Sequence, residues 1–123
     1  MEISSGYLDK SAIQAELPEI LEFLGRKSDR FELMHGAVSI CDHDDVWKSH
    51  PAKLGEIPSI IENWIQDRIF EFGEWDLYLQ DTDNKYRFLL CHETDIHFFS
   101  EDDKAIQEIK KVWESKGFKV YEI

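Results

Sequence analysis

The 123-residue sequence predicts an α+β domain in which three helices pack on a mainly antiparallel sheet, in the order α-β-β-α-β-β-β-α-β. Three observations carry that prediction. Three segments repeat apolar residues at the spacing of a helix face. Between them, shorter runs alternate in the manner of half-buried strands and are joined by turn-forming residues. Finally, a 42% apolar content with 13% aromatics supports one packed core, and the length fits a single domain over residues 1–123.

The first helix is expected from about Ser11 to Leu24, with Ser11 and Gln14 as a capping box and Leu17, Ile20, Leu21 and Leu24 as its apolar stripe. Pro18 lacks an amide donor and reads as a break or restart, and Gly25 closes the helix. The second helix opens at Pro58, which suits a first helical position. Its stripe is Ile61, Trp64, Ile65, Ile69 and Phe72, and Gly73 ends it. The third starts from Ser100, with Asp103 completing the cap, and runs through Ile106, Ile109, Val112 and Trp113 to Gly117. Acids at its start and lysines at its end both complement the helix dipole.

The strands are expected in pairs. Phe31–Met34 and Ala37–Cys41 flank a two-residue turn at His35-Gly36, which sets Phe31 against Ile40 and Leu33 against Val38. A second hairpin joins Trp75–Gln80 to Lys85–Cys91 through Asp81–Asn84, with Trp75, Leu77 and Leu79 facing Leu90, Phe88 and Tyr86. A strand at Ile96–Phe99 follows. Its neighbour Lys85–Cys91 is apolar on both faces and so reads as central. Phe118–Ile123 forms a last strand, which a crossover could place beside a parallel neighbour. Glu16–Glu22 and Glu56–Glu62 look alike around Pro18 and Pro58. Helix-start chemistry accounts for this more simply than duplication.

Composition narrows the function. Twenty-six acids against 14 Lys and Arg give a net charge of −12, which disfavours nucleic acid and anionic membranes as partners. The amino terminus shows no basic-then-apolar leader, and no apolar run approaches ~20 residues, so the chain reads as cytoplasmic. Cys41 and Cys91 are expected as free, partly buried thiols.

No catalytic signature stands out. Cys41 and His43, with the group Cys91, His92, Glu93, Asp95 and His97, offer zinc-type ligands. They lack established metal spacings, and inert buried cysteines explain them more simply, so no metal or cofactor is expected. Asp42-His43-Asp44-Asp45 fails as a calcium loop because Trp47 and Lys53 stand where glycine and glutamate are required. Cys91 and His92, as strand neighbours, should point to opposite faces and not pair. The charge itself is uneven. Glu62–Asp103 holds 12 acids and 3 bases, whereas Lys104–Ile123 holds 3 acids and 5 bases.

These features favour a non-enzymatic binding protein of the inhibitor or immunity type, neutralising a basic protein partner such as a toxin nuclease. Trp47, Glu74, Asp76, Tyr78, Asp81 and Asp83 are the expected contacts. The alternative is a small metal-binding or hydrolytic domain built on the clusters around residues 41–45 and 91–97.

Overall fold

The computed structural model describes residues 1–37 and 46–123. The α+β class is as the sequence predicts: the described residues form three helices and one seven-stranded antiparallel sheet of order β3-β2-β4-β5-β6-β1-β7. The strands are β1 (Glu2–Ser4), β2 (Arg30–Gly36), β3 (His50–Lys53), β4 (Asp76–Asp81), β5 (Tyr86–Leu90), β6 (Ile96–Ser100) and β7 (Tyr121–Glu122). The helices are α1 (Lys10–Lys27), α2 (Ile57–Gln66) and α3 (Asp103–Ser115), with a short 3-10 turn at Leu54–Glu56 before α2.

The length of α1 follows from topology. β1 and β2 are parallel and separated by β4, β5 and β6, so their connection must cross ~19 Å of sheet at ~4.8 Å per strand. Eighteen helical residues supply ~27 Å, enough to cross diagonally. The helix therefore continues through both expected breaks. Pro18 lies on its exposed side, as does Gln14, whose carbonyl loses its helical donor but remains open to water. Gly25 stays helical, and Leu54 packs so closely that an added Cβ would come within 2.6 Å of its Cδ2. The cap is Asp9, accepting from the Ala12 amide at 2.8 Å, rather than Ser11. In α3 the cap is likewise Asp102, one residue before the helix, rather than Ser100.

The second helix stops earlier than its apolar stripe suggests. Arg68 takes φ 62°, its amide bonds to the Ile65 carbonyl, and the Ile69 amide bonds to Trp64. That is a Schellman ending with arginine where glycine is usual, and Ile69 and Phe72 are buried from the following turns. A left-handed arginine costs ~1–2 kcal/mol, against ~0.5–1 kcal/mol of extra chain entropy for glycine. Arg68→Gly is therefore expected to stabilise the protein by up to ~1 kcal/mol, seen as a higher urea midpoint. An unchanged or lower midpoint would show that this turn stores no strain.

The His35-Gly36 turn does not form. β2 continues through both residues, pairing His35 with Leu77 and Gly36 with Asp76, while Phe31 and Leu33 stand opposite Ala52 and His50 of β3. The expected partners Val38 and Ile40 lie outside the described residues. In the β4–β5 hairpin the register is displaced by two, with Leu77 opposite Leu90 and Leu79 opposite Phe88. The reason is Asp81. It ends β4 instead of entering the loop, and its Oδ1 accepts from the Lys85 and Tyr86 amides at 2.9 and 2.8 Å. Asn84 then supplies the left-handed residue of the turn at φ 58°.

β5 is central, as expected. β1 has no counterpart in the sequence reading. It lies between β6 and β7, so the crossover through α3 gives no directly paired parallel strand. The described helices all pack on one face of the sheet, where Leu33, His35, Leu77, Leu79, Phe88, Leu90, Ile96 and Phe98 form the core.

Candidate functional site

The opposite face of the sheet is covered by no described element. Strand alternation sends Glu32 and Met34 of β2 to it, with Asp76, Tyr78 and Gln80 of β4, Arg87 and Leu89 of β5, His97 and Phe99 of β6, and Glu2 of β1. The Arg87 guanidinium lies 5.9 Å from the Tyr78 ring and 5.3 Å from the Phe99 ring, so one cation is held between two aromatics. Two hollows meet along this pair. One, of about 320 Å³, is bounded by Glu32, Met34, Trp47, Tyr78, Gln80 and Arg87. The other, of about 120 Å³, reaches Leu89, His97, Phe99 and Glu2.

Trp47 both packs on the sheet and remains exposed. Its amide donates to the His35 carbonyl at 2.8 Å, and its ring covers Gly36, where a Cβ would lie only 2.2 Å from the indole. Even so, 38% of the residue remains accessible. Gly36 thus provides a seat for the indole. The glycine that suggested a turn serves instead to admit an aromatic ring.

The expected contact residues divide between surface and scaffold. Tyr78 and Trp47 meet in the larger hollow. Asp76 lies at the other end of β4, where its Oδ1 accepts from the His92 amide at 2.9 Å and stands 2.8 Å from His92 Nδ1. Glu74 is exposed and paired with Lys10, which also lies 3.7 Å from Glu71. Asp83 is exposed at the tip of the β4–β5 turn. Asp81 is 2% exposed and occupied by two backbone amides, so it serves the turn and is not a surface contact. The acids of this stretch therefore do not form one patch. Asp76 and Asp83 stand at opposite ends of a strand spanning ~17 Å.

Beside Asp76 lies a second constellation. The Cys91 Sγ, a carboxylate oxygen of Asp95 and a ring nitrogen of His97 all fall within 4.8 Å of one another, and Asp76, Cys91 and His92 form a similar group. Cys91 stands beyond the end of β5, in the turn that leads to β6. Strand alternation therefore does not apply to it, and His92 Nδ1 comes within 3.8 Å of its sulfur. Glu2 Oε2 and Asp95 Oδ2 each lie 2.9 Å from one nitrogen of His97, and the Ser4 hydroxyl donates to Asp95 at 2.8 Å. Glu2 and Ser4 come from the strand that hydrophobic periodicity did not mark. Burial is the main influence on the Cys91 thiol and pushes its pKa up to about 12, so it is free and protonated at neutral pH. The cluster at Cys41, His43 and Asp42–Asp45 lies outside the described residues.

The hydrogen bond to Asp76 raises the His92 pKa above its ordinary 6.5, against an opposing effect of desolvation. The folded state thus favours the imidazolium. Its stabilising contribution is complete below pH 6.5 and is lost as pH rises through the raised folded value. Asp76→Asn is expected to lower the His92 titration midpoint measured by NMR. It should also flatten the fall in stability as pH rises above 6.5. A midpoint unchanged by the substitution would overturn this account of the pair.

No helix among the described residues is long and apolar enough to cross a membrane. No protein-family model, curated protein or solved structure matches the chain.

Proposed function

We propose that this chain is a non-catalytic binding protein whose sheet face opposite the helices docks a basic protein. The observation that carries the reading is the aromatic surface formed by Trp47, Tyr78 and Phe99 around Arg87, with Glu2 and Glu32 along its margins. Aromatic residues in hollows are the usual anchors of protein interfaces, and surrounding acids provide steering and specificity toward positive charge. A net charge of −12 adds a long-range attraction of the same sign. In its most concrete form the protein is an inhibitor of the immunity type, occupying the phosphate-binding cleft of a basic nuclease.

The test begins with capture from the native cell at low salt and release at high salt. The captured protein is then purified and titrated calorimetrically against this chain. A basic protein binding with defined stoichiometry and salt-dependent affinity is the expected result. Trp47→Ala and Tyr78→Ala should each cost about 2–4 kcal/mol of binding with the fold intact. Failure to reconstitute a salt-dependent complex, or wild-type affinity in both variants, rejects this surface as the docking site.

A further inference from the structure

We infer that Cys91, Asp95 and His97 form a binding site for a borderline-soft divalent metal ion of the zinc class. The ligand chemistry points to that class, because thiolate, imidazole and carboxylate together suit zinc, whereas magnesium and calcium prefer oxygen alone. The three donor atoms lie within 4.8 Å of one another. Tetrahedral zinc, with bonds of ~2.0–2.3 Å, holds its ligands roughly 3.3–3.8 Å apart, so a closure of at most about 1.5 Å suffices.

The surroundings resemble the outer shell of a metal centre. Glu2 Oε2 engages His97 Nδ1 at 2.9 Å, which fixes the ring and leaves Nε2 directed toward Asp95. The Glu93 amide donates to Cys91 Sγ at 3.4 Å, and the Ser4 hydroxyl holds Asp95 Oδ2 at 2.8 Å. Asp95 Oδ1 is also buried and has no hydrogen-bond partner among the described residues. Leaving a carboxylate oxygen dry and unmatched is costly, and a bound cation would satisfy it. The contacts of His97 are to Asp95 Oδ2 and Glu2 Oε2 and leave Asp95 Oδ1 unmatched.

Binding requires the ion to displace the Cys91 thiol proton and any proton on His97 Nε2, both released to solvent, with no change of oxidation state. The three side chains leave a fourth position for water. His92, 3.8 Å from the sulfur and grouped with Asp76, lies outside this set of ligands.

The probe is cobalt(II), added to chelator-treated protein and followed by its visible spectrum, with zinc(II) as competitor. One equivalent should bind with a thiolate-to-cobalt charge-transfer band, and zinc should abolish that band. Cys91→Ser and His97→Ala should weaken binding about 100-fold or more, and Glu2→Gln about 10-fold. Cys41→Ser and His92→Ala should leave it within about threefold, a range too small for the loss of a ligand. X-ray absorption on the wild-type cobalt protein should show one sulfur among nitrogen and oxygen neighbours, a readout that does not depend on whether any variant folds. The proposal is overturned by absence of saturable binding, by a metal site without sulfur, or by a band that survives Cys91→Ser and disappears in Cys41→Ser.

Discussion

Phe23→Ala is expected to destabilise the protein by about 3–5 kcal/mol, within the range for deleting a large buried aromatic side chain. Phe23 is 1% exposed and sits where α1 crosses the middle of the sheet. Its ring meets Tyr86, Phe88 and Phe98 edge to face, with centroids 5.5–5.8 Å apart. Each such contact adds about 0.5–1.5 kcal/mol beyond area burial, although shared rings make the terms less than additive. The vacated space would open into the groove of about 230 Å³ between α1 and α3, lined by Ile20, Phe88, Ile109 and Trp113. Water can enter there, so the loss should fall toward the lower end of the range. Domains of this kind are typically stable by about 5–15 kcal/mol, so the variant should unfold at markedly lower urea. Phe23→Leu, which retains most of the volume, should cost under about 1.5 kcal/mol. Equal urea midpoints for the two variants would show that α1 is not anchored by this ring.

Asp81→Ala is expected to cost about 2–3 kcal/mol, because two backbone amides lose an ionised acceptor. The Lys85 amide can regain water at the exposed turn, which keeps the loss below twice that of a single charged hydrogen bond. Asp81→Asn preserves an acceptor oxygen and should recover about half of the difference. The more diagnostic consequence concerns register. Asp81 is the group that ends β4 and places Leu77 opposite Leu90, so slowed or heterogeneous β4–β5 pairing should appear in amide exchange of Asp81→Ala. If Asp81 contributed only surface charge, the substitution would fall within about 0.5 kcal/mol and leave exchange unchanged.

The two look-alike segments around Pro18 and Pro58 show where local chemistry stops deciding. Pro58 sits in the first turn of α2, where its missing amide donor is harmless. Pro18 carries the same local signature yet lies inside α1, because the crossing from β1 to β2 requires a helix longer than its local signals suggest. His35-Gly36 is a similar case. The dipeptide is good turn chemistry, but both residues pair with β4, and the glycine accommodates Trp47.

The candidate sites were legible in part for the same reason. Tyr78 and Trp47 were marked as residues, but their meeting across Arg87 depends on a sheet order that joins β2 to β4 and β4 to β5. Cys91, Asp95 and His97 were visible as a cluster in one short stretch. The support from Glu2 and Ser4 comes from a three-residue strand too short to show a period.

By itself the sequence determined the α+β class, the three amphipathic helices, the central position of β5 and the large negative charge. Each is written in composition or in short-range periodicity, which the chain carries before it folds. Only the tertiary structure decided strand order, register, the ends of α1 and α2, and which acids remain on the surface. Those features are set by contacts between residues distant along the chain. An acid such as Asp81 becomes scaffold or surface according to which backbone amides the fold brings to it.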